Sequence, residues 1–582
     1  MSGPGDADRT DGSGDDARID GSRADDAGTD AAEDDDLGDA VDRSSPDEPA
    51  FHAFWADEIA DEIEARDPDE PIVIKGGVSP SGVPHLGHFN EIMRGYFVAE
   101  VLRERGHEVR QVFTADDRDA LRKVPRTLAT VDFELVGLGE VDAGALGRNL
   151  GKPYTAIPDP FDDGHASYGE HFTALLEQSA EAIGVPIEMV SNTDLYESGA
   201  FEAVTRRILA NADRAREVLA VYQDSVEDDY VPFMPICEAC GHVTAGVRSV
   251  DLEAGTVTYE CTGLEAGNRT IEGCGHEGTA TLREGKLPWR FEWPAQWEVL
   301  GVDFEPFGKD HAEGSWPSGE QIAREVLGNE PPVPMVYEWF TLDGEPLSSS
   351  AGNVITVREV LELLEPEVLR YFFVRNPKKA RDFDLARLDQ LVDDFDRFER
   401  AYFGEEDAPD VAALAERAYP FVVDGVRPER VRLPYTFAAV LGMTDDRDLQ
   451  VTMATNEGYF DDDTPEWAID EALERVPRAR AWAERMDNEY NYRLQSTLPE
   501  VAFDGATAAA LDDLADFVAD GHSGEEIQGE IYETARRHDL DVSAFFEAGY
   551  RLFFDETQGP RLGEFMGELD GEFVVRRLRR EG

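Results

Sequence analysis

The stretch Ile72-Val73-Ile74-Lys75-Gly76-Gly77-Val78-Ser79-Pro80-Ser81-Gly82-Val83-Pro84-His85-Leu86-Gly87-His88 decides the fold. Its first half is a short β-branched run of the kind that a parallel sheet buries on both faces. Pro80, Gly82 and Pro84 then break the run. From His85 the apolar spacing changes to helical steps through Ile92, Met93, Tyr96, Phe97, Val101 and Leu102, which predicts a long helix ended by Gly106. Val109-Arg110-Gln111-Val112-Phe113-Thr114 reads as the next strand. Strand, glycine-containing turn, helix and strand make one βαβ unit.

The turn between strand and helix carries the chemistry. Two histidines three residues apart, His85 and His88, fall on one face of a first helical turn. Glycines let a ligand approach the backbone, and a helix N-terminus offers N–H donors and partial positive charge. Imidazoles donate to phosphate oxygens. Together these predict an anion site. The same pattern also fits a capped helix with two satisfied histidines.

Working outward, an apolar run at 54–63 has helical spacing, and stretches around Val299–Phe307 and Pro334–Leu342 supply further strands. After about residue 376, Leu385, Leu388, Leu391, Val392, Phe395, Phe398 and Tyr402 recur at three- and four-residue steps, and strand-like runs become scarce. The expected architecture is α/β: a Rossmann-type parallel-sheet catalytic domain in two halves, 51–200 and 291–375, a zinc-binding insertion at 201–290, and an all-α domain at 376–582. Residues 1–50 hold 17 acidic and four basic residues and almost no large apolar side chains, so they are expected to form a disordered acidic tail.

The 582 residues carry 124 Asp and Glu against 54 Lys and Arg, a formal net charge of −70, and only seven of the 54 are lysines. Such a surface repels itself until molar salt shortens the Debye length to about 3 Å. An ordinary basic nucleic-acid binder is excluded, but the charge is spread along the chain and reports on the solvent more than on the partner. No apolar run approaches the roughly 18 residues of a spanning helix, and the N-terminus lacks a secretory pattern. A cytoplasmic protein with no membrane and no DNA partner is expected.

All four cysteines fall within 38 residues, as Cys237-x2-Cys240, Cys261 and Cys274. A C-x2-C followed by Gly presents two thiolates to one ion, so a closed structural zinc site is expected, with His242 and His276 in reserve. The serine-rich segment Gly344-Glu345-Pro346-Leu347-Ser348-Ser349-Ser350-Ala351-Gly352-Asn353 follows a strand-like run and offers Ser348, Ser349 and Ser350 as hydroxyl donors to phosphate. Basic residues cluster in three islands: Arg118, Arg122, Lys123 and Arg126; Arg370, Arg375, Lys378, Lys379 and Arg381; and Arg576, Arg577, Arg579 and Arg580. Each suits phosphate contact or pairing with nearby carboxylates.

His85-Leu86-Gly87-His88 resembles the HIGH signature of class I aminoacyl-tRNA synthetases, with Leu in place of Ile, and the serine-rich segment resembles the KMSKS loop in placement. Pro346 stands where that family has its first lysine and Ser349 where many members have the second. Charge stabilisation would then fall to Mg²⁺, the two histidines and backbone donors. Thr114–Pro125, Trp293–Val302 and Phe304–His311 resemble the archaeal-type class I lysyl-tRNA synthetases, and the excess of carboxylate over lysine resembles haloarchaeal proteins.

The resemblance implies ATP-dependent activation of lysine and its transfer to tRNA(Lys), with Mg²⁺ and structural Zn²⁺. It implies catalytic roles for His85, Gly87, His88 and Ser348–Ser350, and ATP contacts at Pro80, Ser81, Gly82, Asp310 and His311. Gly77, Ser79 and Asp116 are candidates for the amino-acid pocket, with Trp293 or Trp297 as the wall for lysine's methylenes; core packing explains the tryptophans equally well. Asp117 is a second candidate for the ammonium, and salt bridges to Arg118 or Arg122 explain Asp116 and Asp117 as well. The helical domain would read the anticodon. A glutamyl-type class I enzyme and a non-catalytic zinc-containing RNA-binding protein are the alternatives.

Overall fold

The computed structural model describes residues 52–161, 164–223, 226–266, 269–347, 353–428 and 430–581, so the acidic tail expected at 1–50 and the serines Ser348, Ser349 and Ser350 lie outside the described residues. Five strands form one parallel sheet: β1 (Ile72–Val78), β2 (Val109–Ala115), β3 (Glu188–Ser191), β4 (Phe304–Gly308) and β5 (Val333–Tyr337), in spatial order β5-β4-β1-β2-β3. β1 pairs with β2 from Ile72–Val109 to Val78–Ala115 and with β4 at Ile74–Phe304. The chain winds outward from β1 to β3, then crosses back to β4. The topological switch point therefore lies between β1 and β4, where the crevice outside the strand ends receives ligands in such sheets.

Helix α1 (Trp55–Glu64) and helix α2 (His88–Glu104) cover one face. α2 is buried nearly all round, through Phe89, Ile92, Met93, Phe97, Val98 and Leu102, so its helical signal is length and caps rather than amphipathicity. It begins at His88 rather than His85. The N–H of Leu86 is bonded to the carbonyl of Ile355 (2.9 Å) and that of Gly87 to His85 Nδ1 (3.1 Å), which holds these residues in a turn. The strand expected at 299–307 is also shorter, because Trp289–Leu300 is helical, and the run at 334–342 splits into β5 and a short strand, Phe340–Leu342. Phe340–Leu342 pairs with Arg381–Phe383 and with Glu345–Pro346, so it anchors one end of the serine-rich segment.

Between β3 and the helix at 289 lies the insertion. It holds three short helices, a three-stranded antiparallel sheet (Val247–Asp251, Thr256–Glu260, Glu277–Thr281) and a hairpin (Gly263–Ala266 with Arg269–Glu272). Its cysteine-bearing part is closed off by pairing of Met234–Pro235 with Gly285–Lys286. From Leu388 on, the described residues form only helices and connections. This helical part packs on α1 and α2: Phe54 stacks on Phe421 with ring centroids 6.2 Å apart, and Arg417 donates to both carboxylate oxygens of Asp57 at 2.8 Å. Among the described residues no helix is long and apolar enough to cross a membrane.

Candidate active site

Two cavities open on either side of the loop that leaves β1. The first, about 400 Å³, is lined by His85, Gly87, His88, Glu91, Asp310, His311, Tyr337 and Leu347. It joins the exits of β1 and β4 at the switch point. The two imidazoles lie 4.1 Å apart, and each accepts a backbone N–H at Nδ1: His88 from His85, His85 from Gly87, both at 3.1 Å. Burial, reinforced by the neighbouring His88, pulls His85 down to about 2, and burial pulls His88 down to about 4. Both rings are therefore neutral near pH 7. With Nδ1 accepting, the proton sits on Nε2, and each ring offers one N–H to a ligand. The backbone donors at the start of α2 are already engaged, since His88, Phe89 and Asn90 return their N–H groups to His85, Leu86 and Gly87. The donors of this cavity are thus mainly the imidazoles.

Glu91 forms its floor, accepting from the N–H of Gly77 (2.7 Å) and the hydroxyl of Tyr337 (3.1 Å). Burial pushes Glu91 up to about 7, with the charge of Glu305 adding to the rise. Gly77 is confined to glycine, because a Cβ there would lie 2.5 Å from Thr114 Oγ1.

The second cavity, about 590 Å³, is lined by Ser79, Ser81, Gly82, Asp119, Tyr154, Lys286 and Trp289, with Arg122, Lys123 and Arg126 at its margin. Its electrostatics are opposite. The Lys286 ammonium bridges Asp119 Oδ1 and Glu292 Oε2, the second at 2.6 Å, and Tyr196 caps the other oxygen of Glu292 at 2.8 Å. One ammonium thus serves two carboxylates, which leaves one negative charge within that trio, while Arg122, Lys123 and Arg126 add positive charge at the margin. Asp119 is the partner that reaches solvent, its side chain 31% exposed, and its Oδ2 accepts from Ser79 Oγ at 3.3 Å.

Asp116 lies deeper. It is held by Asn192 (2.8 Å) and Gln296 (3.0 Å), and burial, helped by the charges of Asp119 and Glu292, pushes it up to about 8. Asp117 is consumed locally by Ser191 and the N–H of Thr193. Trp293 and Trp297 are buried (3% and 4% exposed) and donate their indole N–H groups to Glu305, which also holds the buried Lys75 at 2.7 Å. The tryptophan that faces the cavity is Trp289, stacked on Trp293 at 5.1 Å and in contact with His311 at 6.3 Å. The two cavities therefore abut across Trp289 and His311.

Asp119, Glu91, Lys286, Glu292, Tyr154 and Trp289 were not singled out from the sequence. A usable signal existed for one of them: in a chain with seven lysines, Lys286 stands seven residues before Trp293, where a segment that resembles a known family begins. Pro80 lies in the wall of a small cavity of about 30 Å³ beneath the loop, which Ser79, Ser81, Gly82 and His88 share.

The four cysteine sulfurs lie within 4.8 Å of one another, with Cys237–Cys274 and Cys240–Cys261 each 3.7 Å apart. Zinc–sulfur bonds of about 2.3 Å in a tetrahedron require sulfur–sulfur edges of about 3.8 Å, so the cluster fits a four-thiolate zinc site. His276 instead bonds Glu238 at 2.9 Å, and His242 is not among the clustered ligands.

A parallel sheet with a crevice at its switch point, a cysteine-bearing insertion and a helical extension define an α/β protein of the class whose sheets bind ligands outside the strand ends. The family described as tRNA synthetases class I (K) matches residues 53–422, and the chain belongs to it. It is 71% identical to the lysine–tRNA ligase of Haloarcula marismortui over 94% of this chain and 96% of that protein. It is 32% identical to the lysine–tRNA ligase of Pyrococcus horikoshii over 88% of this chain and 96% of that one. A glutamate tRNA ligase structure from Elizabethkingia meningosepticum aligns at 12% identity over 88% of this chain and 99% of its own, with a TM-score of 0.36, too low to bear on the fold.

Proposed function

We propose that this protein is a cytoplasmic enzyme that activates L-lysine with ATP and transfers the lysyl group to tRNA(Lys). The carrying observation is the pairing of a neutral, imidazole-lined cavity with one that holds a surplus carboxylate. ATP takes the first: the Nε2–H groups of His85 and His88 donate to its phosphates, and Asp310 and His311 border its ribose. Lysine takes the second: its ε-ammonium lies against Asp119 Oδ2 and Ser79 Oγ, and its methylenes lie against Trp289 and Tyr154. Its carboxylate then faces the junction at Trp289 and His311.

A lysine carboxylate oxygen bonds to the α-phosphorus as the bond to pyrophosphate breaks, which gives lysyl-adenylate. A terminal ribose hydroxyl of the tRNA next attacks the acyl carbon, and AMP leaves. The protein contributes positioning and charge stabilisation rather than a covalent nucleophile. Mg²⁺ bound with ATP supplies further neutralisation of the phosphates. Cys237, Cys240, Cys261 and Cys274 hold a structural zinc with no open position for chemistry. A glutamate side chain in the second cavity would set its carboxylate against Asp119, a like-charge contact that disfavours the glutamyl reading.

The test is ATP–pyrophosphate exchange in about 2–3 M KCl, where surface repulsion is screened, with each amino acid in turn and tRNA present. Exchange with lysine alone is expected. Exchange with glutamate overturns the specificity, and silence with all twenty overturns the activity.

A further inference from the structure

The three basic islands of the sequence have different fates in the fold. In the C-terminal island, Arg579 pairs with Asp516 and Arg580 with Asp512, both at 2.6 Å, while Arg577 is buried and spends its guanidinium on the carbonyls of Thr497, Leu552 and Gln495. In the middle island, Arg370 is taken by Asp424 and Arg375 by Asp394, and Arg381 donates to the carbonyls of Phe372 and Asn376; Lys378 and Lys379 are exposed and, among the described residues, have no carboxylate within ion-pair distance, but they line neither cavity. In the first island, Arg118 is buried against the carbonyls of Gly285 and Arg283 and pairs with Glu197 at 3.3 Å. Arg122, Lys123 and Arg126 are exposed and, among the described residues, have no carboxylate within ion-pair distance.

That is informative in a chain with more than two carboxylates per cation. Elsewhere single arginines gather several acids: Arg105 holds Asp57, Asp61 and Glu64, and Arg430 holds Glu367, Glu399 and Glu471. Three like charges kept together without such partners oppose folding on their own account. They also line the margin of the second cavity, not of the imidazole-lined one, whose lining contains no Lys or Arg.

Two further cations join them through backbone contacts. Arg269 of the insertion hairpin donates to the carbonyl of Arg122 at 2.8 Å, and the carbonyl of Lys152 accepts the N–H of Leu121 at 2.9 Å. The cysteine knuckle fixes this arrangement, since the N–H of Val243 bonds the carbonyl of Gly151 at 2.8 Å. The surface therefore spans the segment after β2 and the insertion, and it borders the second cavity.

We propose that Arg122, Lys123 and Arg126, flanked by Lys152 and Arg269, are the docking surface for the phosphates of the acceptor end of the RNA substrate. The proposal rests on the tRNA-charging reading above. Phosphate contacts of this kind position a nucleic acid rather than specify its sequence, and each released counterion steepens the salt dependence of binding.

The test is binding of labelled tRNA, by fluorescence anisotropy across a KCl titration, to the wild-type chain and to two variants. Arg122→Gln/Lys123→Gln/Arg126→Gln is expected to weaken binding at least tenfold. It is also expected to lessen the slope of log K against log[KCl] by about 2, three contacts at about 0.7 each, while ATP, whose cavity none of the three residues lines, binds within twofold of wild type by calorimetry. Lys378→Gln/Lys379→Gln, which removes the exposed pair of the middle island, is expected to leave the slope within 0.5 of wild type, an order-of-magnitude margin on the same scale. An unchanged slope in the triple variant, or an equal change in the Lys378 variant, overturns the proposal. So does a parallel loss of ATP binding, which would make the cluster part of the imidazole-lined site. Failure of the wild-type chain to bind tRNA would instead overturn the reading beneath it.

Discussion

The two cavities share one loop and differ in almost every electrostatic respect. The first is built from groups that have lost all or part of their charge: two imidazoles kept neutral by burial and a carboxyl, Glu91, pushed up to about 7. The second is built from groups that keep theirs: burial opposes the charge on Lys286, but Asp119 and Glu292 hold its affinity for the proton above the ordinary lysine range. Neutral donors bind an anion without presenting it a competing counter-charge, whereas a surplus carboxylate selects a cation. One fold thus sorts two substrates of opposite charge by how far it desolvates each wall and what it leaves unpaired.

The largest effect should come from the first cavity. Replacing both histidines, His85→Ala with His88→Ala, is expected to slow adenylate formation about 10³-fold while lysine binding by calorimetry is unchanged. A loss under tenfold would mean that the imidazoles do not meet the phosphates.

In the second cavity, Asp119→Asn is expected to raise the lysine Kd about 30- to 100-fold, the worth of one charge-assisted hydrogen bond, with ATP binding intact. Asp116→Asn should change it only a few-fold, because Asp116 is already largely protonated near neutral pH. Reversal of that order would move the ammonium site to the buried aspartate.

Zinc removal tests whether the insertion supports one cavity or both. Lys286 lies on a strand paired with Met234–Pro235, just before Cys237. Cys237→Ser is therefore expected to lose the metal by elemental analysis and to raise the KM for lysine about tenfold, by misplacing Lys286, more than it raises the KM for ATP. Equal effects would indicate general loosening.

The smallest effect is the titration of Glu91. Its folded value, about 7, lies above the ordinary 4.5, so the protonated form is favoured in the native state. Its contribution to stability is full below about 4.5 and is lost as pH rises toward 7. Above that, the carboxylate sits beside the triphosphate, and the KM for ATP is expected to rise several-fold between about pH 6 and 8. Glu91→Gln should flatten both trends in urea melts and in steady-state kinetics. A persisting rise in the KM would assign the titration to another group.

Much of this was legible in the chain. The β-branched run at 72–78, the interrupted turn and the apolar spacing to Leu102 are local signals, and local signals suffice to place a βαβ unit and its histidine loop. The start of α2 was misplaced by three residues because the competing partner of Leu86 is Ile355, far along the chain. The second cavity was harder to read. Trp289, Trp293 and Trp297 have equal standing in sequence, and so do Asp116, Asp117 and Asp119. Which of them faces solvent depends on Asn192, Gln296, Ser191 and Glu305, which come from other strands and helices.

The sequence by itself determined the sheet, the cysteine quartet, the helical extension and the charge that suits molar salt, because periodicity, spacing and composition are properties of a chain. Only the tertiary structure decided which carboxylate is left partly unpaired and which cations, Arg122, Lys123 and Arg126 at the second cavity, have no carboxylate partner among the described residues. Those outcomes depend on pairings between elements distant in the chain, such as Lys286 with Asp119, 167 positions apart, and net charge at a site is the remainder after such pairings are made.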